Sequence, residues 1–250
     1  MALALASLVS TAYAGSFADA VVSYDPGTGF VPHFTDPRAA LGEPSEVNPF
    51  GEATDPFDPP YGTNQLVSIG AGGHLTVRFH TPILKHLHNL HGLDFIIFGN
   101  AGFIITNDFD FTTYTWVGEP ATDGSLFGES TGETRVSVSV DGRHFYQLDP
   151  TLAPTVDSFP PTDASGNFHV PLARDLKQSD FAGATLERMR ELYAGSAGGA
   201  GYDIAWARDA RGHRVWLPGI RFVRIDVLSG HAEIDGFAAV LRGHKHDERE

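Results

Sequence analysis

Residues 134–148, TRVSVSVDGRHFYQL, decide the fold class. Val136, Val138 and Val140 alternate with Ser137 and Ser139, the two-residue period that puts apolar side chains on one face of a strand. Asp141-Gly142 follows, a pair that tolerates the backbone of a tight hairpin turn, and Phe145-Tyr146-Gln147-Leu148 reads as the returning strand. A hairpin with one apolar face needs a second layer to cover it.

The same period extends outward in both directions. Leu66–Ile69 leads through Gly70-Ala71-Gly72-Gly73 into His74–Phe79, where Leu75, Val77 and Phe79 share a face. LDFIIF (Leu93–Phe98) is nearly all apolar, as expected of a strand covered on both sides. Ala20–Tyr24 precedes the turn residues Asp25-Pro26-Gly27, and Arg214–Leu217, Arg221–Val227 and Glu233–Leu241 supply the last strands. A helical turn is expected at Pro37–Leu41, capped by Thr35 or Asp36. One helix is expected from a Ser179 cap, with Phe181, Leu186, Met189 and Leu192 or Tyr193 as its stripe and Gly195 at its end. No repeat or low-complexity linker divides the chain. The reading is mostly all-β: a single jelly-roll-like antiparallel β-sandwich over 15–243, with one short helix, long loops and a polar tail, 244–250.

Composition bounds the function. Apolar residues make up 42% of 250, enough for a real core, and the absence of cysteine excludes disulfides, thiolate metal sites and cysteine nucleophiles. A net charge of −14 repels phosphate backbones and anionic lipid headgroups, so no nucleic-acid partner is expected, while divalent cations suit such a surface. No stretch of ~20 apolar residues predicts a transmembrane segment.

Two segments point to export and assembly. Residues 1–14, MALALASLVSTAYA, are apolar and end in Ala12-Tyr13-Ala14, the pattern of a signal-peptidase site, although a positively charged leader is missing. They read as an export-signal remnant or as a strand donated to a neighbouring subunit, with Leu3, Leu5, Leu8 and Val9 as the donated side chains. Residues 43–65, EPSEVNPFGEATDPFDPPYGTNQ, are too rich in proline and polar residues for regular structure. A loop of that length is usually functional or held by an interface, and Phe50, Phe57 and Tyr61 are its candidate assembly contacts.

The acidic pair Glu233 and Asp235 in HAEIDGFAAV (231–240) carries the metal question. Positions i and i+2 of a strand project to one side, about 6–7 Å apart, close enough for two carboxylates to converge on a hard cation. Calcium takes six to eight oxygens, and Asn100 and Asp203, both beside glycines at strand ends, are further donors. The alternative is that Glu233 is a solvated strand start and Asp235 a turn cap. Gly128-Glu129-Ser130-Thr131-Gly132 matches G-x-S-x-G, but polar loop precedes it and a strand follows, the wrong context for a nucleophile elbow. His86, His88 and His91 read as a polar surface turn. Glycoside hydrolysis needs two acids facing across a cleft, and no pair is marked as such, so the chain is read as non-enzymatic.

Several stretches in order, among them ADAVVSYDPGTG, LVSIGAGGHLTVRFHTPI, GLDFIIFGNAGF, TRVSVSVDGRHFYQL, GGAGYDIAWA, FVRIDVLSG and AEIDGFAAV, resemble bacterial secreted and cell-surface proteins of the PEP-CTERM type. The resemblance implies a jelly-roll-like sandwich and an extracellular or cell-surface location; the activity of that family is undefined. Its F-D-L-D-A-type segment corresponds to Glu233-Ile234-Asp235-Gly236, which keeps an acidic pair. Its F-x-N pattern often holds an acid where this chain has Gly99, and the C-terminal sorting helix of many members is not found. The expected role is a structural protein whose copies associate into an oligomer or filament by strand addition. The alternative is a calcium-stabilised carbohydrate-binding module stacking polysaccharide on Tyr61, Tyr114, Trp116 or Trp206, and a glycoside hydrolase or lyase ranks last.

Overall fold

The structure, a computed structural model, describes residues 15–241. Leu3, Leu5, Leu8, Val9 and the tail 244–250 therefore lie outside the described residues.

Sixteen strands follow in chain order: β1 (Ala20–Asp25), β2 (Val67–Gly70), β3 (His74–Leu84), β4 (Phe95–Gly99), β5 (Gly102–Phe103), β6 (Phe109–Asp110), β7 (Thr115–Trp116), β8 (Ala121–Thr122), β9 (Leu126–Phe127), β10 (Thr134–Ser139), β11 (Tyr146–Leu148), β12 (Ala184–Thr185), β13 (Ala200–Tyr202), β14 (Ala207–Arg208), β15 (Gly219–Val227) and β16 (His231–Ala239). A six-stranded antiparallel sheet runs β1-β3-β15-β10-β11-β14, and a four-stranded antiparallel sheet runs β13-β4-β16-β2. The expected mostly-β sandwich is what the chain builds.

Register explains the core. Val77 pairs with Val223 and Leu75 with Ile225, while Val138 and Val136 oppose the same two residues from β10. These side chains line one face of the large sheet and join Phe95, Ile97, Ile234 and Phe237 of the smaller sheet in one buried cluster. Burying each such side chain stabilises by about 1.5–3 kcal/mol. LDFIIF is covered on both sides as expected: Phe98 meets Phe168 edge-on at 5.3 Å between ring centroids, and Phe95 stacks on Tyr202 at 5.2 Å. A second apolar cluster, with Phe103, Phe181, Met189 and Tyr193, sits under the loops.

Several local expectations change. β10 stops at Ser139, so Val140 is exposed rather than inward, and Ser137 and Ser139, on the face opposite Val136 and Val138, are buried as well. The turn is wider than a two-residue hairpin because Asp141 Oδ1 accepts from the amides of Arg143 and His144 and so replaces ladder partners. Arg214–Leu217 is not a strand; Arg214 makes one bridge to Arg208, and Trp216 is exposed. The helix starts later than Ser179: a 3-10 turn, Gln178–Phe181, ends before Gly183, whose φ is +79°. The α-helix is Leu186–Tyr193, capped by Thr185, whose Oγ1 accepts from Arg188 N, and closed by Ala194 in the left-handed region. Pro37–Ala40 forms the expected short turn under an Asp36 cap.

The first described residues lie on their own sandwich. Ala18 N donates to Phe237 O and Ala239 N to Ser16 O, so residues 16–18 run beside the end of β16 before the chain crosses to the other sheet as β1. Among the described residues strand β1 is terminal there and pairs only with β3. Among the described residues no helix is long and apolar enough to cross a membrane.

Candidate functional site

The acidic pair on β16 is divided between different hydrogen-bond partners, and a β-bulge falls at its second member. Ile234 pairs with Gly99 and Gly236 with Phe98, which leaves Asp235 as the extra residue of β16. A bulge interrupts the strict alternation of side chains and re-aims one of them. Asp235 is turned onto the 43–65 loop, where Ser45 N donates to its Oδ2 at 2.9 Å and Ser45 Oγ to its Oδ1 at 2.7 Å. Glu233 instead meets Asn100, whose Nδ2 donates to Glu233 Oε2 at 2.6 Å.

Of the four expected calcium ligands, the structure brings together only Glu233 and Asn100. Asp203 pairs with Lys85 Nζ at 2.9 Å, and the same ammonium lies 3.2 Å from the fully buried Asp94. Asp203 also caps the short turn Ile204–Trp206 through Ala205 N. Among the described residues no group of three or more histidine, aspartate or glutamate side chains gathers around a common point.

Asp157, which sequence reasoning missed, lies beside Glu233 and Asn100. Its Oδ1 accepts from Asn100 N at 2.8 Å and Ala101 N at 3.1 Å, and its Oδ2 from Glu233 N at 2.8 Å. It therefore ties β4, β16 and its own loop together at one end of the smaller sheet. Only its left-handed backbone, φ 50°, sets it apart from the other acids, and no residue pattern in the sequence announces that. Burial dominates the electrostatics here. It pushes the Asp157 carboxyl up to about 7 against those three amides, and Asp235 up to about 7 against its two bonds from Ser45. Burial raises Glu233 as well, although the bond from Asn100 opposes it.

The histidine and serine motifs resolve simply. His88 and His91 are exposed on the turn before β4. Ser130 lies in the loop before β10, not at a strand-to-helix elbow, and its amide donates to the Asp157 carbonyl.

The long loop is pinned by side-chain amides. Asn48 Nδ2 donates to Glu52 and Asp58, its Oδ1 accepts from the amides of Phe50 and Glu52, and Gln65 bonds Val47 O and Gly62 N. Phe57 packs inward on the second apolar cluster. Phe50 is 80% exposed, with Tyr61 6.3 Å away.

A second aromatic group stands on the hairpin β6–β7. Phe109 packs edge-on against Phe111 at 5.1 Å and Trp116 at 5.0 Å. Phe111 and Tyr114 at its tip are 78% and 79% exposed. Trp206 differs from the expectation of an open stacking face: it is buried, and Arg174 lies 4.9 Å over its ring.

Compared with protein-family models and with curated proteins, the chain matches none of them. What it does is read from its own geometry.

Proposed function

We propose that this chain is a non-enzymatic extracellular or cell-surface structural protein whose copies associate by strand addition. The observation that carries the reading is the position of β1: a terminal strand of the large sheet, paired on one side, with Val22 half exposed on it. An open strand edge presents unpaired N–H and C=O groups that a further strand satisfies. The apolar sequence of residues 1–14 supplies a segment of the right character. A head-to-tail contact of this kind extends to filaments where its rotation does not close a ring.

Sedimentation of the full chain across a concentration series tests the reading. Mass that grows with concentration, and falls when Val22→Lys places a charge on the edge, is expected. A monomer at every concentration sinks it.

A second reading, carbohydrate binding, is favoured by the exposed rings of Phe111 and Tyr114 on β6–β7. Aromatic faces in water stack on sugar rings, and a net charge of −14 directs such a surface toward neutral or cationic glycans. Calorimetry against a glycan panel tests it: heat that vanishes in Tyr114→Ala supports a sugar platform, and no heat from any glycan rejects it.

A further inference from the structure

Where the loop before β10 passes over the start of β16, three side-chain oxygens are buried with no hydrogen-bond partner: Glu233 Oε1, Asn100 Oδ1 and Ser130 Oγ. Their residues belong to one hydrogen-bonded group. Asn100 Nδ2 donates to Glu233 Oε2 at 2.6 Å, Asn100 N and Glu233 N both donate to the Asp157 carboxylate, and Ser130 N donates to the Asp157 carbonyl at 2.6 Å. Gly128 brings the loop close, since a Cβ there would stand 3.8 Å from Asn100 Oδ1.

Leaving one such atom without a partner costs about 1–3 kcal/mol, and more if it is charged. Glu233 is only 8% exposed, yet its Oε1 has no hydrogen-bond partner. Neither Glu233 nor Asp157 forms an ion pair with a lysine or arginine among the described residues. A carboxylate oxygen, an amide carbonyl and a hydroxyl are all hard oxygen donors, with no nitrogen or sulfur among them. That set suits calcium and not zinc.

We propose that Glu233 Oε1, Asn100 Oδ1 and Ser130 Oγ bind a calcium ion, with Asp157 as a nearby counter-charge and water completing the shell on the loop side. Glu129, exposed on that side and bonded to Ser158, adds negative charge at the rim. One charged ligand and two neutral ones make a weak site, in the range of about 10⁻⁴–10⁻³ M found for extracellular modules. Asp235 and Asp203 take no part, because Ser45 and Lys85 hold them. The site is independent of the association reading, so either can fail alone.

Thermal unfolding of the full chain in chelator, in millimolar calcium and in millimolar magnesium tests the proposal, with terbium luminescence as a second readout. The wild type is expected to gain several degrees of Tm in calcium, less in magnesium and none in chelator. Glu233→Gln should lose the calcium response and the terbium signal. Asn100→Asp is the positive control, since it places a second carboxylate against Glu233. It should unfold earlier than wild type in chelator and recover in calcium, with tighter binding. Should Glu233→Gln fail to fold, Asn100→Asp alone decides. No calcium-dependent shift in either the wild type or Asn100→Asp overturns the site and leaves a neutral, protonated Glu233 as the explanation of the unpartnered oxygen.

Discussion

Asp157 fills the space that a side chain at position 99 would need: a Cβ placed on Gly99 would lie 2.3 Å from Asp157 Oδ1 and 2.7 Å from its Cα. The carboxylate that occupies this space is delivered from a separate loop, and glycine is the residue that leaves room for it.

Gly99→Ala should therefore expel Asp157 and break its bonds to Asn100 N, Ala101 N and Glu233 N together. Backbone stands in the way as well as side chain, so relaxation is difficult. A loss of at least about 1–3 kcal/mol is expected from overpacking, read as a lower urea midpoint. An unchanged midpoint would mean that Asp157 is dispensable.

Stability should fall as pH rises through the weakly acidic range. Asp235 has its proton affinity raised from 3.8 to about 7 by burial, so the folded chain holds this proton more tightly than the unfolded chain does. The contribution is complete below about pH 4, declines by up to about 1.4 kcal/mol per pH unit, and is gone above about pH 7. Asp235→Asn keeps an acceptor for Ser45 N, and the Ser45 hydroxyl can turn to accept from the new amide. That variant should match the wild type at pH 4, exceed it at pH 8, and give a flatter profile in denaturant titrations. A wild-type profile already flat from pH 4 to 8 would contradict the assignment.

Lys85→Met should be among the costliest single changes. Its ammonium bonds Asp203 and the 0%-exposed side chain of Asp94, and its removal strands a buried charge. A loss of about 3–5 kcal/mol is expected at neutral pH. Lowering the pH should restore part of it by protonating Asp94, which calorimetric unfolding at pH 5 and 7 checks.

The aromatic hairpin separates stability from recognition. Phe109 holds two rings and is half buried, so Phe109→Ala should lower the unfolding temperature, each aromatic pair contributing about 0.5–1.5 kcal/mol. Tyr114→Ala, at the exposed tip, should stay within about 0.5 kcal/mol of wild type. Equal losses from the two would mean that the tip is packed rather than offered to a partner.

What the sequence determined by itself is the period-two architecture. Leu75, Val77, Val136, Val138, Val223 and Ile225 declare strands because alternation and β-branching are local properties, and their common face follows directly. The helix was legible in part: Met189 and Tyr193 are its buried residues, but Phe181 lies in the preceding 3-10 turn and the helix begins at Leu186 under a Thr185 cap. Only the tertiary structure decided the site. Glu233 and Asp235 are held by different partners, Asn100 and Ser45, and the bulge at Asp235 falls where β4 and β16 pair out of step. Asp157, far from both strands in sequence, is recruited by backbone amides, which every residue carries and no residue pattern reveals. Where a side chain is bonded by main-chain groups of a distant segment, the folded path of the chain, and not the spacing of its residues, selects the partner.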